Sequence, residues 1–117
     1  MKYSISILCH NNANLTKRCI ESIFHAGTEK DEAELIITNN GSSDDTADLL
    51  DRTLRNRPHI RIITNEKNEG FIQPNMRALF HANGDYFVML NNDCVVSKGW
   101  LDRLSEPFSN PVVKLVG

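Results

Sequence analysis

Four polar clusters each follow an apolar, β-branched run: His10-Asn11-Asn12, Asn39-Asn40-Gly41-Ser42, Asn65, and Asn91-Asn92-Asp93. Amides donate and accept hydrogen bonds, whereas an ionised carboxylate only accepts. Several amides with one acid suit a ligand that displays hydroxyls and ring edges but little fixed charge, such as a sugar and a base. Asp93 is the sharpest candidate, because it closely follows the run Phe87-Val88-Met89-Leu90, whose residues belong in a sheet interior, and has no Lys or Arg within four residues along the chain. A hard divalent cation, Mg²⁺ or Mn²⁺, takes one or two carboxylate oxygens and fills its shell with diphosphate oxygens and water. The competing reading is structural, since Asn and Asp also build turns and helix caps.

Other chemistries find little support. No Gly-x-Gly-x-x-Gly follows the first apolar run, and no Gly-x-x-x-x-Gly-Lys-Ser/Thr occurs, so the usual backbone cradles for dinucleotides and triphosphates are missing. A bound phosphate would lean on a metal instead. His25 and His81 read as surface residues at helix ends, and Cys19 falls on an apolar helix face. His10, at the exit of the first run, is placed to stack on or bond to a base.

The elements that position these clusters follow from periodicity. Strand-like runs occur at Tyr3–Leu8, Glu34–Thr38, Ile60–Thr64, Tyr86–Leu90 and Val112–Val116, four to six residues each and rich in β-branched side chains. Their starts are separated by about one strand, one crossover helix and two loops, the repeat of a parallel sheet. Leu15, Cys19, Ile20, Ile23 and Phe24 share one helical face and Gly27 supplies a stop. Ser42 to Thr46 provides a helix start ahead of Ala47, Leu50 and Leu54, with Pro58 as terminator. Asn75, Ala78, Leu79 and Ala82 give a third helix, and Trp100 to Phe108 a short fourth before Pro111. The fold class is α/β, a mostly parallel Rossmann-like sheet with helices on both faces. Ligands bind such sheets at the carboxyl ends of the strands, where the Asn clusters fall.

Composition bounds the remaining possibilities. The 117 residues suit one domain, and 40% hydrophobic residues, 24% charged residues and a net charge of −2 describe an ordinary globular chain without the basic excess that attracts nucleic acid. Three cysteines without a Cys-x-x-Cys pair suggest neither a disulfide framework nor a thiolate zinc site. No run approaches the ~18 apolar residues of a membrane span, and no secretory leader is evident. A cytoplasmic location is expected, with membrane association left open for a longer form.

The clusters and their flanks resemble, in order, the motifs of family 2 glycosyltransferases. The matching segments are Ser4-Ile5-Ser6-Ile7-Leu8-Cys9-His10-Asn11-Asn12, then Ile36 through Thr46, then Asn68-Glu69-Gly70-Phe71, then Gly84-Asp85-Tyr86 leading to Leu90-Asn91-Asn92-Asp93. The resemblance implies a glycosyltransferase-A fold, a nucleotide-diphosphate sugar donor (a UDP- or GDP-sugar) and inverting transfer to a hydroxyl of a glycan or other acceptor, as in cell-surface polysaccharide or glycan biosynthesis. It implies that Asn91-Asn92-Asp93 is this chain's DxD-like motif, with Asp93 the ligand of Mg²⁺ or Mn²⁺ and Asn91 facing the ribose or sugar. Nucleotide contacts fall, by the same likeness, on Cys9, His10, Asn11, Asn39, Asn68, Gly70, Asn75, Asn91 and Asn92.

Three departures from the family pattern matter. Asn39 stands where most members carry an Asp, so a charge-assisted hydrogen bond is replaced by a weaker neutral one. The DxD-like triplet retains one carboxylate. By the resemblance, residues 1–117 are expected to be the nucleotide-binding part, with the acceptor-binding half, in which the general base is expected, absent. Asp102 and Glu106, the next acids, read as solvent-facing. A non-catalytic module that binds a nucleotide or sugar nucleotide is therefore the alternative, and a receiver-like signalling domain is disfavoured by the lack of an acidic pair after the first strand.

Overall fold

A computed structural model describes all 117 residues apart from the side chain of Glu29. Four strands form the sheet: β1 (Tyr3–Cys9), β2 (Ala33–Asn40), β3 (Ile60–Asn65) and β4 (Tyr86–Asn91). All pair in parallel, in the order β3-β2-β1-β4. The helices are α1 (Ala13–His25), α2 (Thr46–Leu54), α3 (Ile72–His81) and α4 (Trp100–Ser105), with 3₁₀ turns at Thr28–Asp31 and Glu106–Ser109.

Alternation along β1 sorts the two faces. Tyr3, Ile5, Ile7 and Cys9 point to one side, where they are almost fully buried with Leu35 and Ile37 of β2 against Cys19, Ile20 and Ile23 of α1, Leu50 and Leu54 of α2, and Leu101 of α4. Ser4 and Ser6 point to the other side, which α3 covers, and the Ser6 hydroxyl donates to Asn75 Oδ1 at 3.0 Å. The helices thus lie on both faces, as expected.

At the amino ends of the strands, Glu34 of β2 accepts from Ser4 Oγ (2.6 Å), Asn83 N (2.7 Å) and Asn83 Nδ2 (3.2 Å). Gly84 lies close enough to β1 that a Cβ there would meet Ser4 N at 2.6 Å. The glycine lets the α3–β4 turn press onto the sheet.

Three expectations are corrected. Val112–Val116 forms no strand: Val112 and Leu115 are 82% and 85% exposed, and the local bonds are a turn from Val113 N to Asn110 O (3.0 Å) and Val112 N to Asn110 Oδ1 (3.1 Å). β-propensity without a ladder partner does not make a strand. The fourth helix divides at Glu106, because Pro107 has no N–H to continue the α-helical ladder. The Phe87–Leu90 run is half-buried rather than interior, and Met89 is 55% exposed, since β4 is an edge strand.

Candidate functional site

The chain steps from β1 to β2 to β3 in one direction, then crosses back to place β4 on the opposite side of β1. The boundary between β1 and β4 is therefore the topological switch point, where crevices open beyond the carboxyl ends of parallel strands. Leu8 is level with Asn91, Cys9 with Asn39, and Asn40 with Asn65. The polar clusters accordingly share one rim.

At the β4 exit the chain turns sharply, with Cys94 N donating to Asn91 O at 3.1 Å. Two ties hold this turn to α1: Cys19 Sγ reaches Asn91 O at 3.6 Å, and Asn92 Nδ2 donates to Thr16 Oγ1 at 3.1 Å. Asp93 projects from the turn, exposed, with no ion pair or hydrogen bond to its carboxylate among the described residues. Asn91 is exposed as well. A free, anchored carboxylate fits a hard divalent cation that takes most of its other ligands from phosphate and water. No cluster of three or more His, Cys, Asp or Glu able to hold a metal occurs among the described residues.

The β1 and β2 exits cap one another. Asn11 and Asn12 take left-handed φ values of 55° and 57°, which Asn tolerates better than most residues. Asn11 Oδ1 accepts from Ser43 N (2.7 Å) and Asp44 N (3.3 Å) ahead of α2, and Asp44 Oδ2 accepts from Ala13 N (3.2 Å) at the start of α1. The Asp44 carboxyl lies below the usual carboxylate range, chiefly through the Thr46 hydroxyl bonded to it. Asn39 Oδ1 accepts from Ser42 N (3.2 Å), and His10 Nδ1 is 2.8 Å from Asn40 O with the ring otherwise exposed.

Asn40 is 2% exposed and uses its whole amide. Its Nδ2 donates to Asn68 Oδ1 (3.0 Å) and Gly70 O (2.9 Å), and its Oδ1 accepts from Asn65 Nδ2 (3.0 Å) and Glu69 N (3.0 Å). Arg77 closes the outside, donating to Asn65 Oδ1 (2.9 Å) and pairing with both Glu69 oxygens at 3.2 Å. This pairing holds Glu69 below its ordinary range. Asn75 is buried; its Nδ2 donates to Phe71 O at 3.0 Å while its Oδ1 takes the Ser6 hydroxyl.

The residues singled out by the sequence thus divide. His10, Asn91 and Asp93 present side chains to the rim. Asn11, Asn39, Asn68, Asn75 and Asn92 spend side-chain groups on the protein itself, while Gly70 contributes its backbone. Cys9 is fully buried beside α1 and its thiol is pushed up to about 11 by burial. The sequence placed Asn40 in a rim cluster without giving it a nucleotide-binding role, and it offered no reason to single out Thr16 or Arg77. Asp102 and Glu106 sit far from the rim, on the segment whose Ser105 Oγ meets Tyr3 OH (2.9 Å) at the start of β1. A largely apolar cleft of about 620 Å³ between β4, α4 and the C-terminal segment contains none of the rim residues.

A doubly wound parallel sheet with helices on both faces gives the chain an α/β fold of the glycosyltransferase-A type. The chain belongs to glycosyl transferase family 2, whose model matches residues 4–117. A curated relative, the inactive polypeptide N-acetylgalactosaminyltransferase-like protein 5 of Macaca fascicularis, is 34% identical over 104 residues, covering 86% of this chain and 24% of the relative. The mannosyltransferase PcManGT of Pyrobaculum calidifontis, solved with GDP-Man and Mn²⁺, superposes with a TM-score of 0.87 at 19% identity, over 96% of this chain and 33% of that one. TarS 1–349 of S. aureus, solved with UDP, gives 0.79 at 22%, over 93% and 32%. The chain therefore spans about a quarter to a third of these proteins. Among the described residues, no helix is long and apolar enough to cross a membrane.

Proposed function

We propose that this chain binds the nucleoside diphosphate part of a UDP- or GDP-sugar at the β1/β4 switch point, as the donor-binding part of an inverting glycosyltransferase. The observation that carries the reading is Asp93, a carboxylate without a protein partner among the described residues, set on a turn tied to α1 through Asn92 and Asn91. Mg²⁺ or Mn²⁺ bound there would neutralise charge on the departing diphosphate. Asp93 would hold the cation, Asn91 would meet the ribose or sugar hydroxyls, and the exposed His10 ring would lie against the base. In inverting transfer an acceptor hydroxyl attacks the anomeric carbon opposite the diphosphate, the carbon–oxygen bond to phosphate breaks, and a base takes the hydroxyl proton. No acid of this chain is assigned that last role. The known complexes of PcManGT with GDP-Man and Mn²⁺ and of TarS with UDP support the donor class. A glycan or other hydroxyl compound is the proposed acceptor.

Calorimetric titration of UDP and GDP with and without Mn²⁺ tests the reading. Metal-dependent binding of one nucleotide, abolished by Asp93→Ala, is expected; binding that ignores both metal and substitution would remove it. A second reading, a module that binds the donor without turnover, is favoured by the inactive relative. Release of free sugar or transfer product from a bound donor would decide against that second reading.

A further inference from the structure

We infer that Asn40 and Gly41 are positioning residues that hold the Glu66–Phe71 segment against the rim before any ligand arrives, so that the donor meets a preformed wall. The inference rests on the donor-binding reading for its functional consequence, but not for its structural content. Two independent features of the β2 exit point to it. The first is chemical: the buried Asn40 amide makes four hydrogen bonds, three of them to Asn68, Glu69 and Gly70. Asn68 Oδ1 then takes Gly70 N at 2.8 Å, so the segment's polar groups are directed at the sheet. The second is steric: Gly41, at φ +70°, has the backbone of Lys67 and Asn68 so close that a Cβ would lie 2.3 Å from Lys67 C and 2.5 Å from Asn68 N. Any side chain at position 41 would push the segment away.

The amide is essential to this arrangement. Asn40 Nδ2 donates to two oxygens while Oδ1 accepts from two N–H groups, which a carboxylate of the same shape cannot do. An Asp at position 40 would place acceptor against acceptor at Asn68 Oδ1 and Gly70 O. Ordering a segment in advance removes that entropic cost from the binding step. Arg77 reinforces the wall through Glu69 and Asn65 from the outside.

The test is hydrogen exchange on the ligand-free 117-residue chain, comparing Asn40→Asp and Gly41→Ala with the parent and with Glu34→Ala, which loosens the opposite end of the sheet. Losing the two bonds donated by Asn40 Nδ2, or placing a Cβ at position 41, should release the segment, so that the Glu69 and Gly70 amides lose roughly tenfold or more in protection in the first two variants. Protection in β1 should change far less. Glu34→Ala should lower the melting temperature without selectively exposing Glu69 and Gly70. Unchanged Glu69 and Gly70 protection in Asn40→Asp and Gly41→Ala, or equal loss across the sheet, overturns the inference. Nucleotide titration then separates the two claims. If exchange responds as described but no nucleotide binds the parent chain, the donor reading fails and the preformed wall stands; if nucleotide binds with equal affinity to parent and both variants, the wall has no part in binding.

Discussion

Asn75 offers a direct contest between a ligand-contacting and a structural role. The family resemblance makes it a nucleotide contact, whereas the structure leaves it only 7% exposed, between Ser6 of β1 and Phe71 O at the head of α3. Asn75→Ala removes two hydrogen bonds, each worth ~1 kcal/mol net, and leaves the Ser6 hydroxyl, 2% exposed, without that acceptor. The summed loss is about 3 kcal/mol. For a chain of this size, about 4 °C accompanies each kcal/mol, so the melting temperature should fall by ~12 °C. Thermal unfolding by circular dichroism measures this, and the double variant Ser6→Ala/Asn75→Ala should recover part of the loss, with a coupling of about 1 kcal/mol. A melting temperature within a few degrees of the parent, together with lost nucleotide affinity, would refute the structural assignment.

Three further outcomes are expected. Burial alone would raise the Glu34 carboxyl, but hydrogen bonds from Ser4 and Asn83 outweigh it and leave the group lowered; its contribution is thus present above its unfolded value and lost as pH falls through the folded one. The melting-temperature gap between parent and Glu34→Gln should be largest near neutral pH and shrink below about pH 4, and a gap indifferent to pH would contradict this. Asn92→Ala cuts the Thr16 tie and should weaken Mn²⁺-dependent nucleotide binding by roughly tenfold, as loss of groups that orient a metal ligand commonly does; unchanged affinity in calorimetry would show that the turn needs no such support. Burial raises the Cys9 and Cys19 thiols to about 11 and about 12, so iodoacetamide at pH 8 should modify Cys94 first in the folded chain, and mass spectrometry finding Cys9 or Cys19 labelled as fast would refute it.

Amphipathic periodicity and strand spacing were enough to read four strands, their parallel pairing and the positions of α1 to α3, because a buried face imposes its repeat on the chain. They misjudged Val112–Val116, whose composition is that of a strand and whose surroundings are not. Strand formation depends on a neighbouring ladder, a property of the assembled sheet. The strand exits read from periodicity coincide with the rim segments, and Asp93, with no Lys or Arg within four residues along the chain, forms no salt bridge among the described residues.

Local order alone established the kind of residue at each strand exit, since an apolar run ending in amides and an acid can be read directly from the chain. Which amide serves the protein and which faces solvent was decided by the tertiary structure. Asn39 and Asn40 are neighbours of identical chemistry, yet alternation sends them to opposite faces of β2. Asn40 there meets Asn65, Asn68, Glu69 and Gly70, drawn from 25 or more positions away. Contacts of that range exist only once the crossovers have brought the strands side by side.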